Sequence, residues 1–235
     1  ATLQHFEDKC NWAINNKNQK PSAEIAITNI ETGSRSFGIA LHSNGAIFSI
    51  PQTDKFSEQT TYYDLGFAEK SNTTTFTTPI NLGDKINNIY YEGAPSLTSS
   101  GDIMYFTANG TSIKKYKEKK KDELPISSEG VNILKVYSSK KINGVWDSVV
   151  ELSINNNNYN VTFPHISADG NTLYFCSDMP GGMGGLDIYY VEKLGNNQWS
   201  TPVNLGPEVN TYEDETYPFV MDNKFFFSSK GREGF

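Results

Sequence analysis

Cysteine is scarce in this chain: Cys10 and Cys176 are the only two and stand 166 residues apart, which makes no disulfide framework. Cys176 lies in the apolar run Leu173-Tyr174-Phe175-Cys176, where a free thiol behaves as a small hydrophobe, so two free thiols are expected and the redox compartment stays open. Long apolar runs are missing too. No stretch of about 18 such residues occurs, so nothing reads as a helical membrane span. No leader or lipidation motif is visible, as holds equally for a mature or trimmed chain. Positive charge is in deficit: 20 Lys and Arg against 27 Asp and Glu give a formal net charge of -7, a poor match for nucleic acid or an anionic bilayer surface. Histidine is rare. His5, His42 and His165 lie at no zinc-ligand spacing from one another or from a cysteine, and the Gly-x-Ser-x-Gly elbow of serine hydrolases is absent.

Aromatic residues are plentiful, with 14 Phe and 13 Tyr, which favours β-structure. The chain is organised around residues 163–190, FPHISADGNTLYFCSDMPGGMGGLDIYY. This stretch reads as a short strand, a turn at Ser167-Ala168-Asp169-Gly170, a second strand at Leu173 to Cys176, a glycine-rich loop and a third strand from Asp187. An Asp-Gly pair between β-prone runs predicts a tight hairpin with both central residues at positive φ.

The unit recurs. Residues 94–109, APSLTSSGDIMYFTAN, align with 163–178 without a gap, placing Pro95 on Pro164 and Gly101 on Gly170. Residues 217–229 repeat it from Pro218 with a shorter turn, and 37–50 form a fainter copy. The ends of the units repeat as well, in FTTPINL, WDSVVEL and WSTPVNL. Their aromatic residues Phe76, Trp146 and Trp199 are 70 and 53 residues apart, while Pro95, Pro164 and Pro218 are 69 and 54 apart. Two independent landmarks agree on one period of about four strands, and radial repetition of four-stranded sheets fits it. The expected fold is all-β: a β-propeller with about three and a half blades, at roughly 24–88, 89–160, 161–211 and 212–235, the last incomplete. Residues 1–20 precede it as a helix and linker, possible as the end of a helical-repeat domain, and EIAITNI at 24–30 reads as a first strand. Leu3, Phe6, Cys10, Ala13 and Ile14 form the helix's apolar stripe. A lysine-rich insertion at 110–130 reads as a solvated loop.

The runs FPHISADGNTLYF, GGLDIYY, TPVNLGPEVNT and FFFSSKGREGF resemble the PD40 or TolB-like propeller repeats of bacterial envelope proteins. They most resemble the version in Gram-negative proteins that join tetratricopeptide repeats, a propeller and an OmpA-like domain, of which the PorE-type component of the type IX secretion system is the best known. The family pattern continues past Phe235 and includes an OmpA-like segment. The resemblance therefore implies a fragment of a longer chain, in which peptidoglycan is reached only through a domain not present here. It also implies a non-enzymatic, periplasmic, outer-membrane-associated scaffold whose partners are other envelope or secretion-system proteins, with no cofactor, no nucleic acid and no direct membrane span.

Phe76, Trp146, Trp199, Pro95, Pro164, Pro218, Gly101, Gly170, Asp178 and Asp187 are expected as structural anchors of the repeat. Asp178, Asp187 and the loop at Gly181 to Gly185 could in principle chelate calcium, but Asp178 aligns with Asn109 and reads as a strand-end cap. The same loop runs from strand to strand, so it lacks the helix that a phosphate cradle needs. His165 aligns with Ser96 and Phe219 and reads as a packing position. Glu92 and Glu215 each stand three residues before a repeat proline and are expected to accept backbone N–H bonds at a blade junction. The alternatives to a scaffold are a glycan- or ligand-binding propeller, which needs aromatics exposed on one face, and a propeller glycosidase, which needs two carboxylates facing across the axis.

Overall fold

The computed structural model describes residues 7, 10–12, 14–15, 37–53, 61–72, 74–87, 91–109, 133–195 and 198–232. The expected strand at 24–30 and the lysine-rich insertion lie outside the described residues. The described residues form four separate antiparallel sheets, one after another along the chain. The first joins β1 (Ile39–His42), β2 (Gly45–Thr53), β3 (Thr61–Glu69) and β4 (Ile80–Asn81). The second joins β5 (Glu92–Leu97), β6 (Ile103–Asn109), β7 (Leu134–Ile142) and β8 (Val145–Glu151). The third joins β9 (Val161–Ile166), β10 (Thr172–Ser177), β11 (Asp187–Gly195) and β12 (Gln198–Trp199), and β13 (Val203–Asn204) also pairs with β11. The fourth holds β14 (Glu215–Met221) and β15 (Lys224–Ser229).

The first strands of the sheets, β1, β5, β9 and β14, pack side by side in that order. Each sheet meanders outward from them, so the four are blades of an incomplete β-propeller. The blades meet through apolar faces set by strand alternation. Trp146 of β8 is buried with Ile47, Leu65 and Ile86 of blade 1. Trp199 of β12 is buried with Tyr105, Val136 and Leu152 of blade 2, and its ring meets Tyr105 edge-on at 5.9 Å. The two tryptophans thus hold one position, outer strand against preceding blade. Phe76, bridged to Lys70, is buried with Ala46, Phe48 and Ala68 on blade 1.

Proline decides the form of the outer strand. Pro79 and Pro202 have no N–H to give a ladder, and there the strand splits into short pieces around Phe76 and β4 or into β12 and β13. Blade 2 carries Val149 at this position, and β8 runs unbroken over 7 residues.

One expectation needs correction. The Asp169-Gly170 connection is not a two-residue hairpin. Five residues separate β9 from β10, and of these only Gly170 has positive φ, at 73°. The side chains widen the turn: Ser167 Oγ accepts the Thr172 N–H at 2.9 Å and Asp169 Oδ1 accepts the Asn171 N–H at 3.1 Å. The blade 2 turn matches it, with Gly101 at φ 69°. Tight two-residue turns occur instead at Asn143-Gly144 and Asp222-Asn223, where both residues have positive φ. Residues 7, 10–12 and 14–15 are helical, in line with the expected N-terminal helix, and Cys10 and Ile14 of the apolar stripe are exposed, Ile14 to 62%. Spacing sets which face of a helix is apolar, not whether a partner covers it. Among the described residues no helix is long and apolar enough to cross a membrane.

Candidate functional site

The inner strands share a local distortion. Ala94, Phe163 and Tyr217 have φ of 46°, 51° and 53°, each immediately before a repeat proline, and Gly38 holds the equivalent place in blade 1 at 62°. Such values cost a non-glycine residue on the order of 1–3 kcal/mol, so the surroundings must enforce them. A register shift against the second strand accompanies each of the three non-glycine cases, the mark of a β-bulge. At blade 1 the backbone approach is closest. A Cβ on Gly38 would lie 2.6 Å from Ala94 Cα, so only glycine fits there.

The bulges of blades 3 and 4 are each held by the blade before them. Thr107 Oγ1 of β6 accepts the Phe163 N–H at 3.0 Å, and the Cys176 thiol, the same position in β10, accepts the Tyr217 N–H. A second bond runs beside the first. Ser96 Oγ accepts the Ile166 N–H at 3.0 Å, and His165 Nε2, the equivalent group one blade on, accepts the Val220 N–H at 3.0 Å. Every junction from blade 2 onward therefore carries two side-chain acceptors aimed at the next blade's inner strand. Burial pushes the Cys176 thiol well above its usual range and lowers His165 to about 4. The imidazole is neutral near pH 7, as an Nε2 acceptor requires.

These four strands enclose a cleft of about 590 Å³ along the axis, lined by 38–41, 94–97, 163–165 and 217–219 with Met221. Prolines, aliphatics and aromatics dominate the wall. The Phe163 and Tyr217 rings lie 4.3 Å apart, and Tyr217 is 41% exposed. Among the described residues no lysine, arginine, aspartate or glutamate lines the cleft.

The remaining anchors stay within the blades. Asp178 accepts the backbone and side-chain N–H groups of Asn160 at 2.6 and 2.7 Å. Asp187, fully buried, accepts the Met183 and Gly184 N–H groups and the Asn204 amide, closing the glycine loop over itself. Both carboxylates face N–H donors, and among the described residues no group of three or more His, Cys, Asp or Glu is placed to hold a metal ion. Glu215 accepts the Thr211 N–H, the Thr211 hydroxyl and the Ser229 hydroxyl, all at 2.6–2.7 Å. Glu92 is likewise fully buried.

Sequence reasoning passed over one recurring device. Asn87, Asn155 and Asn210 each clamp the third strand of their blade, giving a side-chain oxygen to one backbone N–H and a side-chain NH2 to the C=O of the same residue: Leu65, Val136 and Ile188. The similar tails GDKINN and GPEVNT held the signal for two of them.

No family model matches the chain, and no curated protein matches it. Among solved structures it is similar to a puromycin-hydrolysing peptidase of Mycobacterium tuberculosis, at 13% identity over 82% of this chain and 26% of that one, with a TM-score of 0.45. It is also similar to a putative TolB from Agrobacterium tumefaciens, at 16% identity over 73% and 45%, with a TM-score of 0.41. An α-L-arabinofuranosidase from Lactobacillus brevis is similar at 14% identity over 71% and 51%, with a TM-score of 0.46. The chain spans from about a quarter to about half the length of these proteins.

Proposed function

We propose that this chain is a non-enzymatic interaction propeller of the bacterial envelope, periplasmic and part of an outer-membrane-associated complex of the type IX secretion kind. The observation that carries the non-enzymatic part is the axial cleft. Its wall offers shape and apolar surface, and its two most polar lining groups, Ser96 and His165, are engaged in holding blades together. Glycoside hydrolysis needs a pair of carboxylates across the scissile bond, and the described residues of the cleft lining include none. The envelope assignment rests on the resemblance of the repeats to PD40 and TolB-like sequences. Anchorage to peptidoglycan is assigned to an OmpA-like domain and to no residue of this chain.

The test is capture from envelope extract with the purified chain as bait, beside Leu41→Glu, which charges an exposed residue of the cleft wall. Outer-membrane or secretion-system proteins retained by the native chain and reduced at least tenfold by the variant support the reading. Background proteins alone overturn it. The neighbouring Phe163 and Tyr217 rings, of which Tyr217 is 41% exposed, favour a glycan-binding alternative, for which saturable binding of peptidoglycan fragments or other soluble glycans is the measurement.

A further inference from the structure

The junctions between blades use different acceptors, and of the two facing the Pro+2 amide only the imidazole can take up a proton in mild acid. Ser96 serves between blades 2 and 3; His165 serves between blades 3 and 4. We propose that His165 is an acid-operated latch, whose protonation releases the β14–β15 hairpin from blade 3 and uncovers Cys176.

The geometry supplies the mechanism. His165 Nε2 receives the Val220 N–H at 3.0 Å, and its ring meets Phe219 edge-on at 4.9 Å. Protonation places an N–H on Nε2, so a donor then faces a donor across the junction, and a charge sits in an apolar wall. A hydroxyl in the Ser96 position has no such second state. The strands packed on β9 bring few groups able to compensate. β10 carries the Tyr174 phenol and the Cys176 thiol, and β14 carries Tyr217 and, at its far end, the buried Glu215. β5 carries Ser96 and Glu92, β6 carries Tyr105, and β7 carries Tyr137 and Lys135, the last ion-paired with Glu151 at 2.7 Å. Burial is the main influence on the imidazole and the Val220 N–H the only other one.

The sign follows from the closed-state value. Burial lowers His165 to about 4 in the closed junction, and an imidazole released to solvent has the ordinary value of about 6.5. The closed junction is fully favoured above pH 6.5 and loses ground as pH falls from there toward 4. Between pH 7 and pH 5 the open population rises on the order of tenfold.

Cys176 reports the opening, because it is fully buried and bonded to Tyr217 of the departing strand. The experiment uses the full chain with Cys10→Ser, a dithiodipyridine that reacts with thiols at acid pH, and a free thiol to normalise the reagent. Normalised labelling of Cys176 is expected to rise on the order of tenfold from pH 7 to pH 5, with far-UV circular dichroism unchanged. His165→Ser, the Ser96 solution, should hold labelling flat, and His165→Gln, which keeps a longer acceptor, covers failure of the serine variant to fold. Glu215 and Glu92 remain in both variants, so a rise caused by carboxylates persists in them. Equal rises in native and variant chains, or no rise in the native chain, overturn the latch.

Discussion

At the residue scale, the most informative side chains are those that satisfy backbone groups inside a blade. The Asn210 carboxamide bonds both the N–H and the C=O of Ile188 at 2.8 and 2.9 Å, and Asn210 is 1% exposed. Asn210→Leu leaves two buried backbone groups without partners, which costs about 2–4 kcal/mol in all. Urea denaturation measures it, and a loss below about 0.5 kcal/mol would remove the clamp from the account. The sequence disclosed this device unevenly. Asn87 and Asn210 end tails of equal length, but Asn155 follows Leu152 after a tail two residues shorter, so alignment by spacing passes it by. The left-handed residues were hidden for a different reason. Phe163 and Tyr217 are bulky aromatics next to proline, and neither feature signals positive φ from sequence. The conformation comes from the neighbouring blade's acceptor, a tertiary cause.

At the element scale, the outer strand tests how proline and register interact. In β8 the pairing with β7 shifts between Asp147 and Val150, so Val149 sits at an irregularity in the ladder. Val149→Pro, which imports the Pro79 and Pro202 solution, should cost less than about 1 kcal/mol, whereas Val150→Pro, which meets Ser138 in register, should cost about 3 kcal/mol or more. Thermal unfolding of the two variants separates these outcomes, and equal losses would contradict the register. The repeat itself was legible from proline and aromatic landmarks, since strands, blade order and the outer-strand anchors follow from their common period. The Asp169-Gly170 turn was not, because Ser167 and Asp169 bond their own backbone and lengthen it. The helix stripe gave an apolar face whose described members Cys10 and Ile14 are exposed, because periodicity carries no information on what packs against it.

At the scale of the whole molecule, each blade is stabilised by its neighbour, and the tryptophans are the points of attachment. Trp199→Ala and Trp146→Ala each empty a buried site between adjacent blades and should each cost about 3–5 kcal/mol. Chemical denaturation followed by circular dichroism gives the values, and a marked inequality would mean that the two junctions are not equivalent in energy. The axial cleft was not legible from the sequence, which placed strands but not the edge that each turns to the axis.

The inner strands also determine how anything can approach along that axis. A sheet edge normally invites another strand through its free amides. Here Phe163 and Ile166 give theirs to Thr107 and Ser96, Tyr217 and Val220 give theirs to Cys176 and His165, and Pro164 and Pro218 have none to give. Along blades 3 and 4 these amides are already committed, so a visiting strand finds them unavailable as donors. The fit of its side chains then carries the recognition.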